Sequence, residues 1–203
     1  MLVVGTGTEV GKTWVTARLV EQLRRDGRRV GVRKPVQSFA PGDRTDAEVL
    51  GGASGERPEE VCRPHRWYAL AMAPPMAAEA LGATAFTISD LIGELTWPEG
   101  IDVGFVEGAG GVRSPLAADG DAVALAEALS PDVVLLVADA GLGVLNLVRL
   151  STGVVDHPVV IIHLNRFDPA DELHRRNRDW LERDGKTVDT SVEALARRLS
   201  LRR

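Results

Sequence analysis

Residues 5–13 read Gly-Thr-Gly-Thr-Glu-Val-Gly-Lys-Thr and lie between two different sequence patterns. The apolar run 2–4 before them predicts a β-strand, and the amphipathic pattern over 13–25 after them predicts a helix. A glycine-rich loop in this setting can wrap its backbone N–H groups around phosphate oxygens, beside the positive start of the helix. One residue more than in the commonest spacing separates Gly5 from Gly11. The stretch predicts a loop that holds the phosphates of a nucleoside triphosphate.

Short apolar runs alternate with helical patterns along the rest of the chain, as in the βαβ units of a parallel sheet. Further strands and helices are predicted at Val30–Arg33, 47–50, 102–106, 133–138, 159–164 and on each side of Gly82. Polar or glycine-rich segments follow the carboxyl ends of these strands, where open α/β sheets bind ligands. We expect a three-layer α/β fold of the P-loop NTPase type over residues 1–203, with a mostly parallel sheet covered by helices on both faces.

Composition and charge narrow the functional classes. The net charge of −5 would repel a nucleic acid, so we expect no nucleic-acid partner. The longest apolar run, 133–138, is far too short to cross a bilayer, and no basic segment precedes the apolar residues 2–4. The one cysteine, Cys62, leaves no pair for a disulfide. We therefore expect a cytoplasmic protein with no membrane partner.

Charged residues near the predicted strand ends are candidates for phosphate chemistry. In the glycine loop, Lys12 can place its charge on the outer phosphates, and the Thr13 hydroxyl can bind Mg²⁺. Lys34 follows the second predicted strand and would bring a second cation to the same edge of the sheet. Asp46 and Glu107 are candidate ligands for Mg²⁺, because this ion takes one or two carboxylates together with phosphates and water.

Five motifs follow one another along the chain. They are the phosphate loop 5–13, Lys34-Pro35-Val36-Gln37-Ser38, Thr45-Asp46-Ala47, Val106-Glu107-Gly108-Ala109-Gly110-Gly111 and Gly141-Leu142-Gly143-Val144-Leu145-Asn146. Together they closely resemble the dethiobiotin synthetase family, the ATP-dependent cyclo-ligases of biotin synthesis. The resemblance runs from residue 1 to about residue 165, and the joint pattern is specific even where single motifs are not.

The resemblance implies a reaction. The family forms a ureido ring on 7,8-diaminononanoate from CO₂, with ATP as co-substrate and Mg²⁺ as the metal. One amine becomes a carbamate, the carbamate takes the γ-phosphoryl group, and the second amine closes the ring as phosphate leaves. Such chemistry needs charge neutralisation along an in-line transfer and firm positioning of the reactants.

The resemblance also implies roles for individual residues. Lys12 and Lys34 would be catalytic, and the metal ligands would be Thr13, Asp46 and Glu107. The nucleotide would contact Glu9, Val10, Gly11, Lys12, Thr13, Trp14, Asp46, Glu107, Gly108, Ala109, Gly110, Asn165 and Arg166. The substrate would contact Thr8, Ser38, Leu145 and Asn146. The family is homodimeric, and the loop 142–146 would reach the substrate carboxylate of the partner subunit, so that the site lies at the interface.

Two departures from the family pattern leave questions open. Phe39 stands where a small residue is usual, and it is either a harmless apolar loop residue or a change in the diamine pocket. Further on, Asn165-Arg166-Phe167-Asp168 imitates the Asn-Lys-x-Asp guanine motif of P-loop GTPases. The interpretation that we favour is that Asp168-Pro169 caps a helix that starts near Ala170. The base preference of the nucleotide stays open.

A second function comes from a different class: a nucleotide-binding paralogue that acts as a regulatory switch on a partner protein, without carboxylation of a diamine. Phe39 and the altered C-terminal region are compatible with such a switch. Retention of both lysines and both carboxylates argues for the ligase, which we expect.

Overall fold

The structure, a computed structural model, describes residues 1–200. Its strands are β1 (Leu2–Gly5), β2 (Val30–Arg33), β3 (Gln37–Ser38), β4 (Trp67–Tyr68), β5 (Val103–Gly111), β6 (Val134–Asp139), β7 (Val160–Asn165) and β8 (Thr187–Asp189). Its α-helices are α1 (Lys12–Arg25), α2 (Asp46–Ser54), α3 (Pro58–Val61), α4 (Pro74–Ala80), α5 (Ile88–Gly93), α6 (Ala122–Leu129), α7 (Val144–Thr152), α8 (Glu172–Arg183) and α9 (Val192–Ser200). None of the helices in this range is long and apolar enough to cross a membrane.

Six strands form one sheet in the order β2-β5-β1-β6-β7-β8, and every neighbouring pair is parallel. Parallel neighbours need crossover connections, and α7 supplies one between β6 and β7. The predicted α/β fold with a mostly parallel sheet is therefore confirmed. The short strands β3 and β4 form a second sheet of two strands, which the sequence analysis did not predict because strands of two residues show no periodicity.

Both faces of the central sheet are buried, which explains why its strands are continuous apolar runs. In β1, Leu2 and Val4 pack into one hydrophobic cluster, and Val3 packs into the cluster on the opposite face. α1 covers the face of Val3 with the side chains that the 3.6-residue period predicts, namely Val15, Leu19, Val20 and Leu23. The sheet is thus a fixed frame for the loops at its carboxyl edge.

β5 is longer than the sequence analysis predicts. The apolar run indicated a strand ending at Glu107, but the strand continues through the glycine motif to Gly111. Its register against β1 shifts between Val3 and Gly5, and Gly110 has a φ of +67°, a conformation that favours glycine. As a result, Glu107 lies inside the sheet, and the glycine backbone runs beside the phosphate loop.

The helix after β7 begins later than predicted. Asp168 accepts a hydrogen bond of 2.8 Å from the N–H of Ala170 and so closes a turn. Asp171 caps α8, since its carboxylate accepts from the N–H of Leu173 at 2.8 Å. The predicted cap at 168–169 is therefore wrong by about one turn, because a second aspartate offers the same capping chemistry three residues further on.

Candidate active site

The predicted phosphate loop joins β1 to α1 at the carboxyl edge of the central sheet. Gly11, directly before α1, has a φ of +93°, and a Cβ atom there would lie 2.1 Å from Asn165 Nδ2. Both conditions demand glycine. Among residues 1–200 no side chain caps α1, so its first N–H groups can face an anion.

Lys12 lies beneath this loop and is buried. Its ammonium donates to the carbonyl oxygens of Gly7 at 2.9 Å and Gly110 at 2.8 Å. Burial, assisted by repulsion from the Lys34 ammonium, lowers the pKa of Lys12 to about 8. A bound triphosphate would supply negative charge to this lysine and favour its protonated form.

Lys34 follows β2, and its side chain is only 3% exposed. Its ammonium donates to Asp46 Oδ2 at 2.8 Å, and to Glu107 Oε1 and Gly108 O at 2.9 Å each. Burial opposes the charged form, but the two carboxylates outweigh burial and raise the pKa of Lys34 above its usual value. Burial likewise would raise the pKa of Asp46, but the Lys34 ammonium outweighs it and lowers that pKa. Lys34 and Asp46 are therefore both charged at neutral pH.

The oxygen atoms around Thr13 fit a divalent cation. Thr13 Oγ1 lies 2.8 Å from both Asp46 Oδ1 and Glu107 Oε1, yet a hydroxyl has only one hydrogen to donate. Glu107 Oε2 is buried and has no hydrogen-bond partner among residues 1–200. Crowded carboxylate and hydroxyl oxygens of this kind suit Mg²⁺, a hard cation that binds oxygen. The three residues predicted as metal ligands thus lie in one cluster, and their role stays a prediction.

A cleft of about 970 Å³ opens above the loop and the lysine cluster, large enough for a nucleotide and a small substrate. The predicted site residues that line it are Thr8, Glu9, Gly11, Lys12, Thr13, Trp14, Lys34, Ser38, Asp46, Ala109, Gly110 and Arg166. Ser38 donates to Met72 O at 2.5 Å, and Phe39 lines the cleft beside it. Phe39 therefore belongs to the cleft wall.

The last residue of β7 and the residue that follows it hold the phosphate loop from its other side. Asn165 Nδ2 donates to Val10 O at 2.9 Å, and Arg166 donates to Glu9 O at 2.9 Å. Arg166 also pairs with Asp139 Oδ2 at 2.7 Å, at the end of β6. Glu9 and Arg166 have φ values of +61° and +57°, which are unusual for residues with a side chain. This network fixes the backbone of the loop.

A second groove, of about 730 Å³, runs between α1 and the start of α9. Trp14 lines it and is 52% exposed, with the guanidinium of Arg18 5.8 Å from its ring centroid. Because Gly11, Trp14 and Arg166 line both spaces, the groove continues from the cleft at the phosphate loop. A nucleotide bound at the loop has room to extend into it.

Leu145 and Asn146 lie apart from these two spaces. Both belong to the first turn of α7, where Leu145 is half-buried and Asn146 is exposed. Neither lines the cleft or the groove in the part of the chain that the structure describes. One chain alone therefore does not bring them to the other candidate substrate residues.

Sequence analysis missed several residues of the cleft wall. These are Gln37, Asp43, Arg44, Met72, Pro74, Ser114 and Pro115. Gln37 lies inside the motif 34–38, and its polar side chain next to the apolar Val36 could have indicated a residue of the site. The segments 71–74 and 114–115 carry no motif, and only folding brings them to the cleft.

The fold and the loop define a class. A parallel sheet whose first strand passes through a glycine-rich loop into a helix that opens with Lys-Thr is the arrangement of P-loop nucleotide-binding proteins. A family model described as an AAA domain matches residues 1–196. The solved structure of the signal recognition particle receptor FtsY from Elizabethkingia anophelis in complex with GDP shares the fold at a TM-score of 0.50 and 19% identity, covering 85% of this chain and 50% of that chain.

Curated relatives narrow the class further. The ATP-dependent dethiobiotin synthetase of Rhodopirellula baltica is 39% identical in an alignment that covers 89% of this chain and 78% of that protein. The enzyme of the same name from Haloferax mediterranei is 37% identical in an alignment that covers 89% of this chain and 77% of that protein. The chain belongs to the dethiobiotin synthetase family, as its five motifs indicate.

Gly11→Ala tests the contact between the phosphate loop and Asn165. The alanine would have to adopt a strained φ of +93°, and its Cβ would overlap Asn165 Nδ2 at 2.1 Å. We therefore expect the free energy of unfolding to fall by roughly 2–4 kcal/mol. Gly27→Ala is the matched control and should lose about 1 kcal/mol. Gly27 has a φ of +81°, and apart from its chain neighbours no heavy atom of residues 1–200 would lie within 4 Å of a Cβ added there. Urea denaturation measures both, and equal losses would contradict the close contact.

The burial of His163, in β7, should make the folded protein less stable in acid. His163 is 2% exposed in the groove floor, and burial lowers its pKa to about 4 against the opposing effects of Asp189 and Glu193. In the unfolded chain a histidine takes up its proton near pH 6.5. As the pH falls, the unfolded state is therefore protonated at His163 before the folded state is. Stability is therefore lost as the pH falls from about 6.5 to about 4, by roughly 3 kcal/mol from this residue.

Urea denaturation at pH 7 and pH 4 checks this expectation. His163→Leu should lose less free energy of unfolding between pH 7 and pH 4 than the wild type does. His65→Leu, at a position whose side chain is 59% exposed, should lose as much as the wild type. An unchanged acid loss in His163→Leu would show that this imidazole is not held neutral.

Proposed function

We propose that this chain is an ATP-dependent dethiobiotin synthetase, which closes a ureido ring on 7,8-diaminononanoate with CO₂ and transfers the γ-phosphoryl group of ATP. Family membership supports the proposal, together with the charged groups gathered at the phosphate loop. The observation that carries it is the ammonium of Lys34, held between Asp46 and Glu107 at the cleft.

Each of the three N–H groups of Lys34 has an acceptor within the protein. Lys34 must therefore exchange one acceptor before it can bind a substrate oxygen. Asp46 is the partner that can move, because its side chain is 39% exposed and that of Glu107 is 0% exposed. A rotation of the Asp46 side chain away from Lys34 would free one N–H for the substrate, and Asp46 is one of the residues that would hold a metal ion.

The reaction assigns separate tasks to the two lysines. Lys12 and the N–H groups at the start of α1 bind the outer phosphates, and Lys34 orients the carbamate oxygen in line with the γ-phosphorus. Thr13, Asp46 and Glu107 would hold Mg²⁺, which would supply positive charge to neutralise the phosphates. After the transfer, the second amine attacks the carbamate carbon, loses a proton, and phosphate leaves.

The remaining residues bind the two substrates. The hydroxyls of Thr8 and Ser38 contact the diamine or its carbamate at one end of the cleft. The backbone of 9–13 and of 108–110 lines the triphosphate, while Trp14, Asn165 and Arg166 lie toward the nucleoside. This arrangement agrees with the cleft lining and with the groove that continues from it.

Product formation tests the function. With ATP, Mg²⁺, bicarbonate and 7,8-diaminononanoate, the protein should release phosphate and dethiobiotin, and omission of either the diamine or bicarbonate should abolish the product. Nucleotide binding without diamine-dependent product, combined with altered affinity for a partner protein, would favour the regulatory switch instead.

Lys34→Ala tests the role of this lysine. We expect turnover to fall by at least about 100-fold, because a charge aimed at the reacting oxygens is lost, and nucleotide affinity to fall by a smaller factor, because Asp46 and the buried Glu107 lose their partner. Isothermal titration with an ATP analogue and a phosphate-release assay measure the two quantities. Lys186→Ala, a partly exposed lysine after α8, is the matched control and should preserve both. If Lys34→Ala kept its turnover, the role assigned to Lys34 would be refuted, but the proposed reaction would not.

We propose that the active form is a homodimer in which residues 142–146 bind the substrate carboxylate of the partner subunit. A row of exposed apolar side chains on and next to α7 supports this pairing: Leu142 (91%), Leu147 (43%), Leu150 (63%) and Val154 (40%). The start of α7, after Gly143, is capped by no side chain among residues 1–200 and offers N–H groups suited to a carboxylate.

Leu150→Lys should separate the dimer, since it places a charge in the apolar row. Light scattering after size exclusion should show the mass of a monomer, with a raised KM for the diamine. Leu81→Lys, at a side chain of similar exposure (53%) after α4, should keep the mass of the wild type. A wild-type protein that is monomeric while fully active would contradict the shared site.

A further inference from the structure

Gln37 is a buried polar residue of the cleft that the proposed reaction leaves without a task. It lies in β3, three positions after Lys34, and is 1% exposed. Its Oε1 accepts a hydrogen bond of 3.0 Å from the backbone N–H of Ala47. Because Ala47 is the second residue of α2, this hydrogen bond holds the turn that carries Asp46.

The other end of the Gln37 amide is unsatisfied. The N–H of Ala47 fixes the orientation of the amide, because a reversed amide would bring an NH₂ donor against that N–H. Nε2 is buried, and no acceptor among residues 1–200 forms a hydrogen bond with it. A buried donor without an acceptor is costly, so such a group calls for an explanation. Gln37 lines the cleft with Lys34 and Asp46, where a ligand would bring an acceptor.

We propose that Gln37 acts in the site through both ends of its amide: Oε1 positions Asp46 by holding α2, and Nε2 donates to an anionic oxygen of the bound ligand. The inference rests on the proposed function, whose terminal phosphoryl group and carbamate are the two sources of such an oxygen. Both would lie beside Lys34.

The chemistry of an amide complements that of the lysines. Lys12 and Lys34 attract an anion by charge, which acts over several ångströms and tolerates displacement. An amide N–H adds no charge and is strong only when donor and acceptor are aligned, particularly when the acceptor is ionised. Gln37 therefore selects one position of the oxygen after the lysines have attracted the ligand.

Two variants alter the two ends of the amide differently. Gln37→Glu keeps an oxygen for the N–H of Ala47 but loses the NH₂ donor, and the carboxylate that it buries should lower thermal stability. Affinity should fall about tenfold or more for the probe that carries the oxygen, as expected for a lost hydrogen bond to a charged group. Gln37→Met loses both ends and should lower stability and affinity together. Thr87→Ala, which removes a helix cap at the distant α5, should lower stability alone.

Nuclear magnetic resonance of the side-chain amide observes the hydrogen bond itself. The Gln37 Nε2 resonances are assigned by their absence from the spectrum of Gln37→Glu. In the wild-type protein they should move downfield with one of two probes, a non-hydrolysable ATP analogue with Mg²⁺ or 7,8-diaminononanoate with bicarbonate. The probe that moves them identifies the phosphoryl group or the carbamate as the source of the oxygen.

The outcomes distinguish this inference from the proposed function. Unmoved Gln37 resonances with both probes bound, or Gln37→Glu with wild-type affinities and turnover, would overturn the inference while dethiobiotin formation by the wild type stands. Absence of dethiobiotin formation would overturn the proposed function, whereas a Gln37 resonance moved by the ATP analogue would still establish the donor.

Discussion

The enclosed ammonium of Lys34 is the constraint on which the site depends. A charge removed from water is stable only where opposite charges and hydrogen-bond acceptors replace the water. Lys34 has two carboxylates and one carbonyl oxygen within 2.9 Å, and these come from α2 and β5. The capping box at Thr45 and the amide of Gln37 fix α2, while the central sheet fixes β5. The structural elements around the cleft thus hold one ion cluster in place.

The parallel sheet gives the phosphate loop its neighbours. Because β5, β1, β6 and β7 are consecutive in the sheet and run in one direction, their carboxyl ends lie side by side. On the β5 side, Lys12 binds the carbonyl of Gly110, and on the β7 side Asn165 binds that of Val10. These hydrogen bonds hold the loop in one shape, which reduces the entropy that binding a ligand would cost.

Some elements could be predicted because their signals are local. The bounds of β2 and the buried face of α1 follow from apolar periodicity. The extension of β5 through Gly111 could not, since glycines carry no apolar signal and the strand is held by its pairing with β1. The start of α8 was missed because Asp168 and Asp171 both fit a cap, and only the turn to Ala170 distinguishes them.

The sequence by itself determined the phosphate loop, the α/β class and the family, because each of these depends on residues that are close in sequence or on motifs in a fixed order. Only the tertiary structure decided what each charged group contacts. Lys34 and Glu107 are 73 positions apart, and Asn165 and Val10 are 155 apart. The unsatisfied amide of Gln37 is equally a tertiary fact, since it depends on every atom that surrounds the side chain. Contacts of this range and specificity exist only once the sheet has brought distant segments together and packing has excluded water.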